Sequence, residues 1–466
     1  MTRSGDTSAE VARLRDAFGY ETTLIAPADA DRALSEWDRT VTAFLAHGAE
    51  TPARLAAALE AAPLFPLALA AKGYFMLLLG RPELRPAAVE ALAAIEPQGA
   101  ALTTREQAMR DGLAAYLSGR LSAAADILDA SLAAHPRDAL LMKLTHAIRF
   151  VLGDAAGMRR SAEAATQRLE RGHPHRGYAL GCLAFALEET GAYVAAERAG
   201  REAVRLTPTD AWGLHAVAHV LDMTNRAAEG VAWISGRVGA WKHCNNFGYH
   251  IWWHLALFHL ERGEHREVLR LYDEEIRQDR SDDYRDISNA ASLLSRLEGE
   301  GVDVGDRWEE LATLSEARVE DGCVVFADLH YLLALGGAGR EQASARLVSA
   351  MRRAAEAEIG CMGAVAKASG LRAAEGLRAF AGGVYAKAYV ALSEARPALH
   401  RVGGSHAQRD VFERLEIEAA LRAGLLKEAR QALQDRARRR GALDRYATTR
   451  LARIGEISEK AQHAAA

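Results

Sequence analysis

This sequence has no closely spaced cysteines, few prolines, no alternating β-branched runs, and none of the common motifs for phosphate binding or nucleophilic catalysis. Its four cysteines, Cys182, Cys244, Cys323 and Cys361, are scattered singly. That spacing excludes a dense disulfide framework and a CxxC metal or redox motif, and it leads us to expect reduced thiols in a cytoplasmic protein. There is no GxSxG elbow, no GxxxxGK[ST] loop and no GxGxxG after a strand. Serine-hydrolase and nucleotide-dependent chemistry are therefore not expected.

The first residues, MTRSGDTS, carry no apolar segment, so secretion is not expected. The most hydrophobic stretch, residues 63–80, is interrupted by Pro66, Lys72 and Gly73. It reads as a buried helix rather than a membrane span. The net charge of −4 conceals a basic run, RQALQDRARRR, at residues 430–440. Without interleaved aromatics this run reads as a solvated helix face, and no nucleic-acid partner is expected.

What the sequence does contain is Ala- and Leu-rich helix. At 466 residues the chain exceeds the size at which one compact core stops growing, so either several domains or an elongated repeat array is required. From about Arg105, helical segments alternate with short turns at Gly, Asp or Pro. A 34-residue frame ending at Pro136 places Gly112, Gly119 and Ala124 at the close-approach positions of a helical hairpin. A second frame, ending at Pro208, does the same with Ala184, Gly191, Ala196 and Ala203. This is the tetratricopeptide period.

Further hairpins are expected over 138–170, 210–238, 247–278, 286–320, 327–357 and 405–439, with no sheet. The organisation expected is a disordered 1–8, a helical cap at 9–104, repeats at 105–360, C-terminal hairpins at 361–458 and a flexible tail at 459–466. Stacked hairpins coil into an all-α solenoid around an interior cavity, lined by the first helix of each pair.

Two histidine pairs at helical spacing stand out: His215/His219 in HAVAH and His250/His254 in HIWWH. An i, i+4 pair puts both imidazoles on one helix face, as a shared metal ion requires. His146, Asp328 and His330 lie on other expected first helices. Together these residues are candidates for a ligand pocket or for a zinc, iron or manganese site, with the two pairs as metal ligands. Trp212, Asn246, Trp252 and Trp253 are candidate pocket walls. Arg409 is a candidate anion contact, although Ser405 and Gln408 beside it also read as a helix cap. His173 and His175 flank a proline and read as exposed loop residues. Neither pair carries the Glu of HExxH that marks a zinc hydrolase.

The segments TPTDAWGLHAVAHVLDM (207–223), HIWWHLALFHLERGEHREVLRLYDEEI (250–276), VFADLHYLLALG (325–336) and GGSHAQRDVF (403–412) resemble the tetratricopeptide repeat protein 38 family. TTREQ (103–107), HPRDALLMKLTHAIRFVLGD (135–154) and GVDVGDRW (301–308) extend the resemblance over most of the chain. It implies a soluble, repeat-built helical protein and maps family motifs onto His146, His215, His219, His250, His254, Asp328, His330, Gln408, Arg409 and Asp410. His406 departs from the pattern, where Asn is expected. The resemblance implies no reaction. The residues leave three functions open: binding of a small molecule or short peptide in the His- and aromatic-lined pocket, a metal-dependent hydrolase or oxidoreductase, and a protein-interaction scaffold.

Overall fold

A computed structural model describes residues 11–358 and 360–465; the expected disordered stretch 1–8 lies outside them. The architecture is an α-solenoid of tetratricopeptide-like helical hairpins. Helices Thr104–Leu117 and Leu121–Ala134 form the first hairpin found in the sequence, and Arg176–Glu189 and Tyr193–Leu206 the second. Between and beyond them lie the pairs Ala139–Val151/Ala155–Arg168, Ala211–Met223/Ala227–Ser235 and Val325–Gly337/Glu341–Ala357. The last helix runs from Arg445 to Ala465, across the segment in which a tail was expected.

From Ala139–Val151 onward, each first helix packs on its own partner and on the first helix of the next hairpin. The four helices Arg176–Glu189, Ala211–Met223, Phe247–Glu261 and Tyr284–Gly299 therefore stand side by side as one inner wall. The repeat spacing produces this. Small residues at the crossing points, such as Gly200 against Val217 and Gly213, let paired helices come close enough to bury their apolar stripes.

The inner surface is not an open groove. Helix His406–Arg422 packs inside, against Tyr284–Gly299 and Ala211–Met223. The chain also ties distant turns together: Cys361 N–H donates to Gly119 O at 2.9 Å, and Asn245 N–H to His47 O at 2.8 Å. The Gly403–Gly404 turn enters this interior with φ of +85° and +73°. A Cβ on Gly404 would lie 2.4 Å from the Phe326 ring, so only glycine fits there. Ser405 and Gln408 then form a capping box at the start of the inner helix.

Three sequence expectations are corrected. A two-stranded antiparallel hairpin, Val11–Arg15 with Glu21–Ile25, precedes the helices. Its strands are too short to give a period-2 signal. They are fixed by a distant group: Glu106 accepts from Thr23 N at 2.7 Å and Thr23 Oγ1 at 2.8 Å while also closing the capping box with Thr103. The hairpin turn carries Phe18, which packs on His175 at 5.1 Å. His175 is consequently buried rather than exposed, and its Nε2 is 3.2 Å from Thr42 Oγ1.

The basic run near the C-terminus is the third correction, since Arg436 and Arg440 are buried rather than part of a solvated face. Arg436 is buried between Asp410 and Asp444, at 2.6 and 2.7 Å, and Arg440 meets Asp222 at 3.1 Å. Among the described residues no helix is long and apolar enough to cross a membrane, and all four cysteines are free.

Candidate functional site

The two histidine pairs converge. His215 and His219 come from helix Ala211–Met223, His250 and His254 from Phe247–Glu261, and one ligand nitrogen from each lies within 4.8 Å of the others. His215 Nε2 is 2.9 Å from His219 Nε2 and 3.0 Å from His250 Nε2. Three ring nitrogens thus point at one spot. His254 packs against all three rings and keeps both of its nitrogens without a hydrogen-bond partner.

One outer nitrogen is held by a residue of a flanking inner helix, and a second is faced by a buried carboxyl without a hydrogen bond. Asn289 Oδ1 accepts from His250 Nδ1 at 3.0 Å. Glu188 Oε2 faces His219 Nδ1 at 3.6 Å. At His250 a proton kept on Nδ1 leaves the Nε2 lone pair aimed at the centre, as in metal sites whose histidines are oriented by an outer acceptor. In a tetrahedral zinc site with bonds of ~2.0–2.1 Å, ligand nitrogens sit about 3.3 Å apart. Opening the 2.9–3.0 Å separations about His215 by a few tenths of an ångström brings them to that spacing, and His254, within 4.8 Å of the others, completes the set by closing toward them.

Burial sets the protonation state. Desolvation holds His215 and His254 well below the usual imidazole range, with the neighbouring rings adding to the effect. It lowers His219 to about 3 and His250 to about 4. All four are neutral at pH 7, which is the ligating form. Phe185 stacks on His215, Trp253 stacks on His250, and Phe247 sits edge-on to His215. The walls are therefore aromatic and water-poor.

The remaining sequence candidates divide. Trp212 and Trp253 line the cluster, whereas Trp252 packs edge-on against Trp241. Asn246 is spent on Asp286, with Nδ2 3.3 Å from a carboxylate oxygen. His146 is buried with both nitrogens unpartnered, but it lies across Trp212 from the cluster. His330 donates from Nδ1 to Phe326 O at 2.8 Å and packs on Phe412, away from the four histidines. Arg409 meets Glu189 at 3.2 Å and borders a cleft shared with His406, Arg436 and Arg440.

Asp328 does not join the cluster either. It is 4% exposed, and burial, with Asp321 adding, raises its carboxyl to about 7. A carboxyl whose folded pKa is raised costs no stability below about pH 3.8. The cost grows as pH rises and is complete above about 7. Asp328→Asn is therefore expected to stabilise the protein by about 2–4 kcal/mol at pH 8 and by almost nothing at pH 4. Denaturant unfolding at the two pH values checks this, and an equal effect at both would contradict it.

Sequence reasoning missed four contributors: Glu188, Asn289, Lys143 and His47. Glu188 and Asn289 sit inside unremarkable helical stretches, and only the stacking of inner helices brings them to the histidines. Lys143, 5% exposed, lies over the Trp212 ring at 4.3 Å and 3.1 Å from His47 Nε2. His47 has a left-handed backbone, φ +57°, and stacks on Phe247 at 4.2 Å. A histidine followed by glycine after a helical run was the one available signal.

No family model matches the chain. Among solved structures, the crystal structure of the yeast Tom70 is similar over 93% of this chain and 96% of that chain, at 12% sequence identity and a TM-score of 0.33.

Proposed function

We propose that this chain is a metal-binding helical-repeat protein, with His215, His219, His250 and His254 forming a centre for one divalent ion, zinc, iron or manganese. An adjoining aromatic-walled interior takes a small molecule. One observation carries the reading: His215 Nε2 lies within 3.0 Å of both His219 Nε2 and His250 Nε2, while Asn289 accepts from the far nitrogen of His250 and Glu188 faces that of His219 at 3.6 Å. A purely structural histidine network would satisfy its buried nitrogens, yet both nitrogens of His254 and the Nδ1 atoms of His215 and His219 have no hydrogen-bond partner. Neutral imidazoles leave the ion its full charge, and an ion that takes a fifth ligand beside the four imidazoles would supply Lewis acidity to an oxygen of the small molecule.

Two features weigh against a peptide-binding scaffold. The inner surface is occupied by helix His406–Arg422, and the candidate lining is histidine and aromatic rather than Asn, Lys and Arg. The motifs that build the centre are those that resemble the tetratricopeptide repeat protein 38 family, and we place the chain with that family on them. The single, unpaired cysteines support a cytoplasmic location.

Elemental analysis of untagged protein tests the reading. About one equivalent of metal is expected in the parent and less than about a tenth in His215→Ala/His254→Ala. Absence of metal from the parent, even after supplementation with zinc, iron and manganese, would sink it. Stoichiometric metal leads on to hydrolase assays or, with iron, oxidoreductase assays.

A further inference from the structure

Lys143 is the other unusual group in the interior. Its ammonium group has three donors. The neighbours found are His47 Nε2 at 3.1 Å, Cys182 Sγ at 4.0 Å and the Trp212 face at 4.3 Å. Among the described residues no carboxylate forms an ion pair with it. The buried Asp210 carboxyl feels its charge, which acts against the rise that burial gives that carboxyl, but a buried cation with no ion-pair partner in contact is costly, and an aromatic face offsets only part of that cost. The surrounding structure has nevertheless been arranged to keep it. His47, beside it, is held in a left-handed backbone whose carbonyl accepts from Asn245 N–H at 2.8 Å.

The position of this cation relative to the four histidines matters. Trp212 touches both Lys143 and His215, and Phe247 touches His47, His215 and His250. His47, Phe247 and His250 each keep part of their surface accessible, while Lys143, Trp212 and His215 beneath them are buried. His47 stacks on Phe247 at 4.2 Å and on Trp212 at 5.4 Å, so a row of packed rings joins a cation at one end to the imidazole nitrogens at the other.

Resting on the proposed metal centre, we infer that Lys143 and His47 anchor the carboxylate of a small organic acid, whose far end reaches toward the four histidines across Trp212 and Phe247. The carboxylate supplies a direct ion-pair partner and accepts the remaining ammonium protons, and the rings exclude water from the rest of the molecule. His47 positions the ammonium by accepting one of its protons.

Calorimetric titration of the zinc-loaded full chain with succinate, benzoate and inorganic phosphate tests this. We expect one saturable site for at least one of the two carboxylates, weaker or absent binding of phosphate, and a roughly tenfold to hundredfold loss of affinity in Lys143→Met. The zinc content of that variant should be unchanged. Lys143→Arg keeps the charge and should bind more tightly than Lys143→Met. His47→Gln gives an independent variant should Lys143→Met fail to fold, and weakened carboxylate binding is expected there too.

Failure of both carboxylates to bind the parent, parent-like binding by Lys143→Met, or phosphate binding as tight as carboxylate would each overturn the inference. The same titration on metal-free chain separates the two readings. Lys143-dependent carboxylate binding in a chain that takes up no zinc would uphold the anchor and overturn the metal centre. Stoichiometric zinc without carboxylate binding would do the reverse.

Discussion

Saturating zinc raises the thermal unfolding midpoint of the parent chain and leaves that of His215→Ala/His254→Ala unmoved. A ligand that binds only the folded state stabilises it in proportion to the logarithm of its free concentration over Kd, about 4 kcal/mol at a thousandfold excess. For a cooperative unit of this length, with unfolding entropy near ~2.1 cal/mol/K per residue, that corresponds to a shift of roughly 4 °C. The Nδ1 acceptor at His250 makes the shift depend on a residue that never touches the ion. Asn289→Ala should reduce it, because His250 would lose the acceptor that fixes its ring and its Nδ1 proton. His146→Ala should leave it intact, because His146 lies across Trp212. Differential scanning fluorimetry with and without zinc checks all three variants. An equal shift in the parent and the double variant would mean that zinc binds elsewhere.

The contrast between His146 and the four central histidines shows how far the sequence could be read. Helix existence, hairpin order and the assignment of HAVAH, HIWWH and DLH to first helices were legible, because apolar periodicity and glycine turns are local signals. The convergence of His215, His219, His250 and His254 was legible in part, since i, i+4 spacing fixes each pair and adjacent hairpins bring the pairs together. What local pattern cannot encode is rotation about the helix axis at a distance. His330 is on the expected kind of helix, yet it faces Phe326 and Phe412 because the Gly403–Gly404 turn brings the final hairpin inside the solenoid. Lys143, Glu188 and Asn289 were invisible for the same reason, since each matters only through a partner roughly thirty or more residues away. The N-terminal hairpin was missed because its strands are held by Glu106 rather than by their own alternation.

That hairpin gives the largest stability effect expected from one substitution. Arg105 is 1% exposed, with Nη2 2.6 Å from Asp16 Oδ2 and Nη1 3.3 Å from Asp138 Oδ2. Asp16 also organises the hairpin turn, accepting from Phe18 N at 3.0 Å and Tyr20 N at 3.1 Å. Asp138 caps helix Ala139–Val151, accepting from Leu141 N at 3.0 Å. One guanidinium therefore joins the hairpin, the first repeat helix and the cap of the helix that carries Lys143. Arg105→Met removes the cation and leaves two buried carboxylates without it, which costs about 3–5 kcal/mol. Adding Asp16→Asn and Asp138→Asn to Arg105→Met removes the stranded charges while keeping an acceptor at each turn and cap, so more than half of the loss should return. Urea unfolding followed by circular dichroism measures both steps. A loss below about 1 kcal/mol in Arg105→Met would show that the hairpin is held by packing alone. Recovery in the triple variant would instead assign the loss to uncompensated charge, and with it the physical reason the chain places an arginine where its helical pattern alone would accept any residue.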